Sequence, residues 1–169
     1  VDYGLLTIDF HRYFTTMDFG PKEALEKLRK YCAYQERSHA DVSQKMWDLE
    51  IPSEWKDDIV LGLMKENFLN EERFARTYAR GKFKIKKWGK VKITHGLKKH
   101  EVSKKCIQLA LTEIDQDDYL RVLKDTIELK LSQLKEKNHW KRRSAICRFA
   151  AQRGFESSLI NEQLNSLQS

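Results

Sequence analysis

Three observations predict an all-α protein assembled from three tandem three-helix repeats. An apolar spacing recurs along the chain, helix-forming residues dominate, and helix breakers are scarce. Ile93, Leu97, Val102, Ile107 and Leu111 are separated by 4, 5, 5 and 4 residues, and Ile146, Ala150, Phe155, Ile160 and Leu164 repeat that spacing. Val42, Met46, Ile51, Trp55 and Ile59 or Val60 give a looser third copy. A step of 4 keeps two residues on one helix face, whereas a step of 5 falls out of phase. The pattern therefore predicts helix, tight turn, helix. Only two prolines and seven glycines occur in 169 residues, so little interrupts it.

Each pair follows a further amphipathic stretch. Residues 1–20 form an N-terminal arm whose fold the sequence leaves open. Repeat 1 (21–69) starts at Pro21, suited to a first helical turn, with Leu25, Leu28 and Cys32 as its leading stripe. Repeat 2 (70–113) starts at Asn70-Glu71-Glu72, a cap followed by first-turn acids, with Phe74, Tyr78, Ile85 and Trp88 expected to face inward. Repeat 3 (114–169) starts at Asp115-Gln116-Asp117-Asp118, with Leu120, Leu123, Ile127, Leu131 and Leu134 as its stripe. Units this small need stacked neighbours. In the last copy Gly154 precedes Phe155, as expected where a helix ends in a left-handed residue. Glu50 and Glu101 stand at the equivalent positions, where that conformation costs about 1 kcal/mol, so those two turns are expected to differ in shape.

The formal charge is +7, and it is unevenly placed. Residues 70–113 carry 13 cationic and 4 acidic side chains, a net of +9, whereas residues 20–69 carry 8 and 10, a net of −2. Arg73, Arg76, Arg80, Lys84 and Lys87 fall at helical spacing, and no acid interrupts the run from Arg73 to Lys99. Lys82, Lys86, Lys90, Lys92, Lys98 and Lys99 widen this patch, and Arg142, Arg143 and Arg148, beside Lys141 and Arg153, form a second cluster. Stacked like charges repel on a helix, so a polyanion or acidic partner would relieve a built-in cost. The alternative is a solvated lysine face. On the polyanion reading, reversing Arg76, Arg80 and Lys84 to Glu should leave helicity unchanged and abolish binding.

Catalytic, metal and cofactor chemistry find no support. The five histidines make no H-E-x-x-H and no zinc spacing with cysteine. No Gly-rich phosphate loop or nucleophile elbow occurs. Cys32, Cys106 and Cys147 are odd in number and far apart, which points to free thiols in the cytoplasm, with Cys106 and Cys147 as buried, inert ones. No apolar run is long enough to span a membrane. Of Trp47, Trp55, Trp88 and Trp140, at least three are expected to anchor the core; Trp140, followed by Lys-Arg-Arg, is the candidate for exposure.

The segment from Asn67 to Ala75 (NFLNEERFA) resembles the G-Y-L-D-D-x-R-F-A signature of the RecX regulatory proteins. The run from Ile93 to Leu111 resembles that family's I-x3-L-x-x-K-G-I-x4-I-x-x-A-L, and Trp88-Gly89 and Gly154-Phe155 resemble further family positions. Asn67, Asn70 and His100-Glu101 depart from the usual Gly, Asp and Lys-Gly. The resemblance implies an elongated, curved array of three units. It also implies a bacterial, monomeric regulator that binds the RecA filament on single-stranded DNA and inhibits the recombinase and its ATPase, in DNA repair, recombination and the SOS response. A helical DNA- or RNA-binding module without RecA, or a protein-only scaffold, fits the residues alone.

Overall fold

The computed structural model describes residues 19–166, so most of the N-terminal arm lies outside the described residues. Nine helices and no strands occur among them: α1 (Pro21–Tyr34), α2 (His39–Asp48), α3 (Ser53–Lys65), α4 (Glu71–Lys86), α5 (Lys90–Lys99), α6 (Lys104–Leu111), α7 (Gln116–Gln133), α8 (His139–Gln152) and α9 (Ser157–Ser166). The repeated 4-5-5-4 spacing is a helix pair joined by a turn in every copy. Val42 and Met46, Ile93 and Leu97, and Ile146 and Ala150 are buried on the second helix of each triplet. Ile51, Val102 and Phe155 are buried just after each turn.

Helix starts follow the local chemistry. Ser38 makes a capping box: the Asp41 N–H donates to Ser38 Oγ (3.0 Å) and the Ser38 N–H to Asp41 Oδ2 (2.9 Å). Asn70, Asp115 and Asn138 cap α4, α7 and α8 by accepting from the N–H three residues on. Glu71 reaches further. It accepts from the N–H (2.8 Å) and Oγ (2.9 Å) of Ser103, tying the start of α4 to that of α6. Its partial burial favours the neutral acid, yet these hydrogen bonds hold its carboxyl below the ordinary value.

The three turns share one shape, contrary to the sequence expectation. Glu50 and Glu101 take positive φ (54° and 58°), as Gly154 does (91°). All three close Schellman motifs. The Ile51 N–H donates to Met46 O (3.0 Å), Val102 to Leu97 O (3.2 Å) and Phe155 to Ala150 O (3.2 Å), each beside a shorter bond from the left-handed residue. Burying Ile51 or Val102 stabilises by roughly 1.5–3 kcal/mol, more than a left-handed Glu costs. Tertiary packing therefore outweighs the local preference.

The buried face of α4 also differs from the predicted stripe. Phe74, Ala75, Ala79 and Phe83 are buried, whereas Ile85 is 76% exposed and Tyr78 and Trp88 are half-buried. The two alanines let α6 approach α4 closely, which turns Ile85 outward. In repeat 3 the buried set on α7 is Tyr119, Val122, Leu123, Thr126 and Ile127; Leu120, Leu131 and Leu134 are only half-buried. Helices α4–α9 share one core, from Phe74 to Leu164, and α1–α3 surround a second, from Ala24 to Leu69.

Two seams join the triplets, each made by the start of a second helix meeting the next triplet's turn. At α5, the Gly89 N–H donates to Arg153 O (2.8 Å), Lys90 to Tyr119 Oη (2.9 Å) and Val91 to Gly154 O (3.0 Å). A helix leaves these N–H groups without internal partners, and here the neighbouring unit supplies them. A Cβ on Gly89 would lie 2.2 Å from Gly154 O, and one on Gly154 2.2 Å from Lys92 Cβ, so only glycines permit this approach. Tyr119 Oη in turn donates to Glu156 Oε2 (2.5 Å); burial, then this carboxylate, pushes its phenol well above the ordinary range. At α2, Ser38 Oγ and Asp41 Oδ1 lie 3.4 and 3.2 Å from Nδ1 of His100. The His100 ring packs edge-on against Phe74 and Tyr78.

Replacing Glu101 by Gly at its left-handed, exposed position should stabilise the protein by about 0.5–1 kcal/mol. Thermal or urea unfolding reads this directly, and a destabilised Glu101→Gly variant would contradict the assigned turn.

Candidate functional site

The cationic stripe predicted on α4 divides into two halves. In the first, every arginine faces a carboxylate. Arg73 Nε donates to Glu36 Oε1 (2.7 Å) and its Nη2 to the backbone oxygen of Asn67 (2.8 Å), bracing the α3–α4 connection against the α1–α2 connection. Arg76 Nε donates to Glu72 Oε1 (2.8 Å), and Arg76 also pairs with Glu113. Arg80 Nη1 lies 3.6 Å from the other oxygen of Glu113. These bonds, Glu72 first and then Glu113, raise the affinity of Arg76 for its proton. Arg29 meets Glu66 across the same 37-residue separation, so the Arg–Glu clamp between first and third helices recurs in repeat 1. Arg73 and Arg76 thus bridge elements of the fold. Reversing Arg76 and Arg80 would set acid against Glu113, and the expectation that this leaves the helix untouched is withdrawn.

The second half is lysine. Lys84, Lys86 and Lys87 are exposed, and none pairs with a carboxylate among the described residues. Lys87 ends α4 in a left-handed conformation (φ 54°), so it leaves the helical stripe. Lys82 and Lys92 place their ammonium groups 5.1 and 4.7 Å from the ring of half-buried Trp88. Lys92 Nζ also donates to Gln152 O (3.2 Å). Lys90 Nζ donates to Gln116 Oε1 (3.1 Å) and lies over the Tyr119 ring, whereas Lys98 and Lys99 are exposed on α5. On α8, Arg142 and Arg148 are exposed, and Arg143 donates to the side chains of Asn161 (3.1 Å) and Asn165 (3.0 Å). The unpaired cations therefore lie at the C-terminal end of the predicted stripe and just beyond it, from Lys82 to Lys92, with Trp88 between them. Nothing in a one-dimensional pattern shows that Glu36 and Glu113 fold back on the arginines.

Lys82, Ile85 and Lys86 also border a cleft of about 450 Å³ between the first two triplets, lined with Glu36, Arg37, Phe74, Tyr78 and His100. Sequence reasoning missed it because Ile85 read as core. Trp47 and Trp140 are 72% and 78% exposed, so only Trp55 and Trp88 pack against a core, not three of the four. Cys32 is buried, Cys106 and Cys147 only half-buried, and all three are free. Burial raises the Cys32 and Cys106 thiols, disfavouring thiolate. Among the described residues no group of three metal-ligating side chains occurs, and no helix is long and apolar enough to cross a membrane.

An all-α protein of three-helix units with a lysine-rich face on its middle unit is the class that fold and site define. Residues 70–111 match the family model for the second three-helix domain of RecX, and residues 117–164 the model for the third. The chain belongs to the RecX family. It is 25% identical over 131 residues to a regulatory protein RecX of Oceanobacillus iheyensis, covering 78% of this chain and 48% of that relative. It is also 25% identical over 134 residues to one of Clostridioides difficile, covering 77% and 63%. The chain therefore spans about half the length of the curated relatives it matches. The crystal structure of RecX from Lactobacillus salivarius superposes with a TM-score of 0.79 at 18% identity, over 88% of this chain and 96% of that one. A second RecX crystal structure matches with the same TM-score at 19% identity, over 86% and 73%. The structural likeness establishes the shared fold, and the relatives carry the name of regulatory proteins.

Glu113→Ala should release Arg76 and Arg80 together. Stability is expected to fall only slightly, as for other solvent-accessible ion pairs, while retention on a heparin column rises. Unchanged retention would mean that the two guanidinium groups do not join the cationic surface.

Proposed function

We propose that this chain binds the RecA filament on single-stranded DNA and inhibits the recombinase by binding alone, in the cytoplasmic control of bacterial DNA repair and the SOS response. The observation that carries the reading is the lysine cluster Lys82, Lys84, Lys86, Lys87 and Lys92. Lys82 and Lys92 flank the Trp88 ring, Lys84, Lys86 and Lys87 are exposed at the end of α4, and none of the five pairs with a carboxylate among the described residues. Membership of a family of regulatory proteins supports it. Lys98, Lys99, Arg142 and Arg148 are exposed and available to extend the contact. Ammonium groups recognise phosphate oxygens as point charges. Binding should therefore weaken with salt, by about 0.7 log units per log of salt for each neutralised single-strand phosphate. Occupying the filament would block subunit exchange or strand access without any covalent step.

A titration of bare single-stranded DNA, RecA alone and the RecA–DNA filament tests the proposal, with RecA ATP turnover as a second readout. Tightest binding to the filament with suppressed turnover is the expected result. Reversing Lys84, Lys86 and Lys87 to Glu, three exposed positions, should keep helicity and cost roughly tenfold or more in affinity. Equal affinity for bare DNA and filament would instead indicate a plain nucleic-acid-binding module, and full inhibition by the triple variant would remove the lysine cluster from the interface.

A further inference from the structure

A full-sized aliphatic side chain stands in solvent beside the cleft between the first two triplets. Ile85 is 76% exposed on α4 and borders that cleft of about 450 Å³, a volume within the roughly 300–1,000 Å³ of ligand-binding clefts. Phe74, Tyr78 and His100 line it as one aromatic cluster. The Phe74 and Tyr78 rings are 5.9 Å apart, and His100 stands edge-on to them at 5.2 and 5.4 Å. Facing these rings are Arg37, from the α1–α2 connection, and Asp41, from α2, so both triplets are needed to form the cleft.

The charges in its walls are of two kinds. Both acids are engaged: Glu36 accepts from Arg73 Nε (2.7 Å), and Asp41 accepts from the Ser38 N–H (2.9 Å) and lies 3.2 Å from His100 Nδ1. The three cations are not. Among the described residues no carboxylate pairs with Arg37, Lys82 or Lys86. Arg37 rests 3.9 Å from the Tyr31 ring, its Nε reaching only the backbone oxygen of Tyr31 (3.5 Å), and Lys82 Nζ lies 5.0 Å from the Tyr78 ring. The uncommitted charge around the apolar lining is therefore all positive.

We infer that the cleft receives an acidic peptide segment of a partner protein. One bulky aliphatic side chain of that segment packs on Ile85 and the Phe74–Tyr78 rings, and carboxylates on either side of it meet Arg37 and Lys86. Covering Ile85 removes apolar surface from water, and the carboxylates supply the partners that these cations lack. Nucleic acid fits less well. It carries phosphate at every step and so sets like charge against Glu36 and Asp41, and Lys82 already lies over the Tyr78 ring. A peptide can set its backbone N–H groups against those two acids instead. Lys84, Lys87 and Lys92 stay outside the cleft. The inference goes beyond the RecA reading and does not depend on it, because it is measured without RecA or DNA.

Amide NMR shifts of the isotopically labelled chain, titrated with a short peptide of aspartates around a single leucine, test it. The expected result is saturable shifts at Arg37, Phe74, Tyr78, Ile85 and His100, lost when serine replaces the leucine or lysines replace the aspartates. Ile85→Asp puts an acid at the exposed lip and should weaken binding roughly tenfold or more, whereas Ile85→Leu should bind like the wild type. Circular dichroism checks that both substitutions keep the helices. No saturable shifts at the cleft would overturn the proposal, as would equal shifts from the serine peptide or unchanged binding by Ile85→Asp. Oligothymidylate that shifts the same residues and binds more tightly than the peptide would make nucleic acid the occupant and overturn it as well. Inhibition of RecA is a separate measurement, so the two readings fail independently.

Discussion

A helix start is an array of N–H groups with no partners of its own, and this protein answers that constraint between units. The first amides of α5 end on two backbone oxygens of the α8–α9 turn and on the hydroxyl of Tyr119. Three properties follow from that arrangement. The glycines at 89 and 154 are required, because any side-chain carbon would collide with the opposing backbone or with Lys92. Tyr119 must be buried and protonated, since its hydroxyl donates to Glu156 while accepting from Lys90. The left-handed turn also keeps one shape at both seams, even where Glu101 occupies it, because that shape is what the preceding unit docks against.

Electrostatics then sort the cations into two kinds. Guanidinium groups present a rigid fork that suits fixed carboxylates, and ammonium groups are mobile, strongly hydrated charges. The protein uses each accordingly. Arg29, Arg73 and Arg76 bridge elements of the fold through Glu66, Glu36 and Glu113, and the lysines at the far end of α4 remain solvent-facing. The net charge of residues 70–113 is therefore a poor guide to which side chains a partner meets.

Much of the fold could be read before any coordinates. The 4-5-5-4 spacing locates both helices and the turn of each pair because burial imposes periodicity on a single strand of text. The caps at Asn70 and Asp115 are equally local. What escaped the sequence depends on distant residues. Glu36 and Glu113 each reach back or forward 37 positions to an arginine. Ala75 and Ala79, unremarkable in isolation, decide which face of α4 is buried and so expel Ile85. Glu101 adopts a conformation its own propensity resists because Val102 gains burial there. Nothing in the sequence set Trp47 apart from the core tryptophans, yet it is exposed, whereas the exposure of Trp140 was legible in the basic run that follows it.

Amide hydrogen exchange at the start of α5 tests the seam most directly. First-turn amides of a solvent-facing helix exchange fast, whereas bonded ones open only with the structure around them. The N–H groups of Gly89, Lys90 and Val91 should be protected to the level of the Phe74–Leu164 core amides and lose protection with it. Rapid exchange at all three, with the helix interior still protected, would contradict the account.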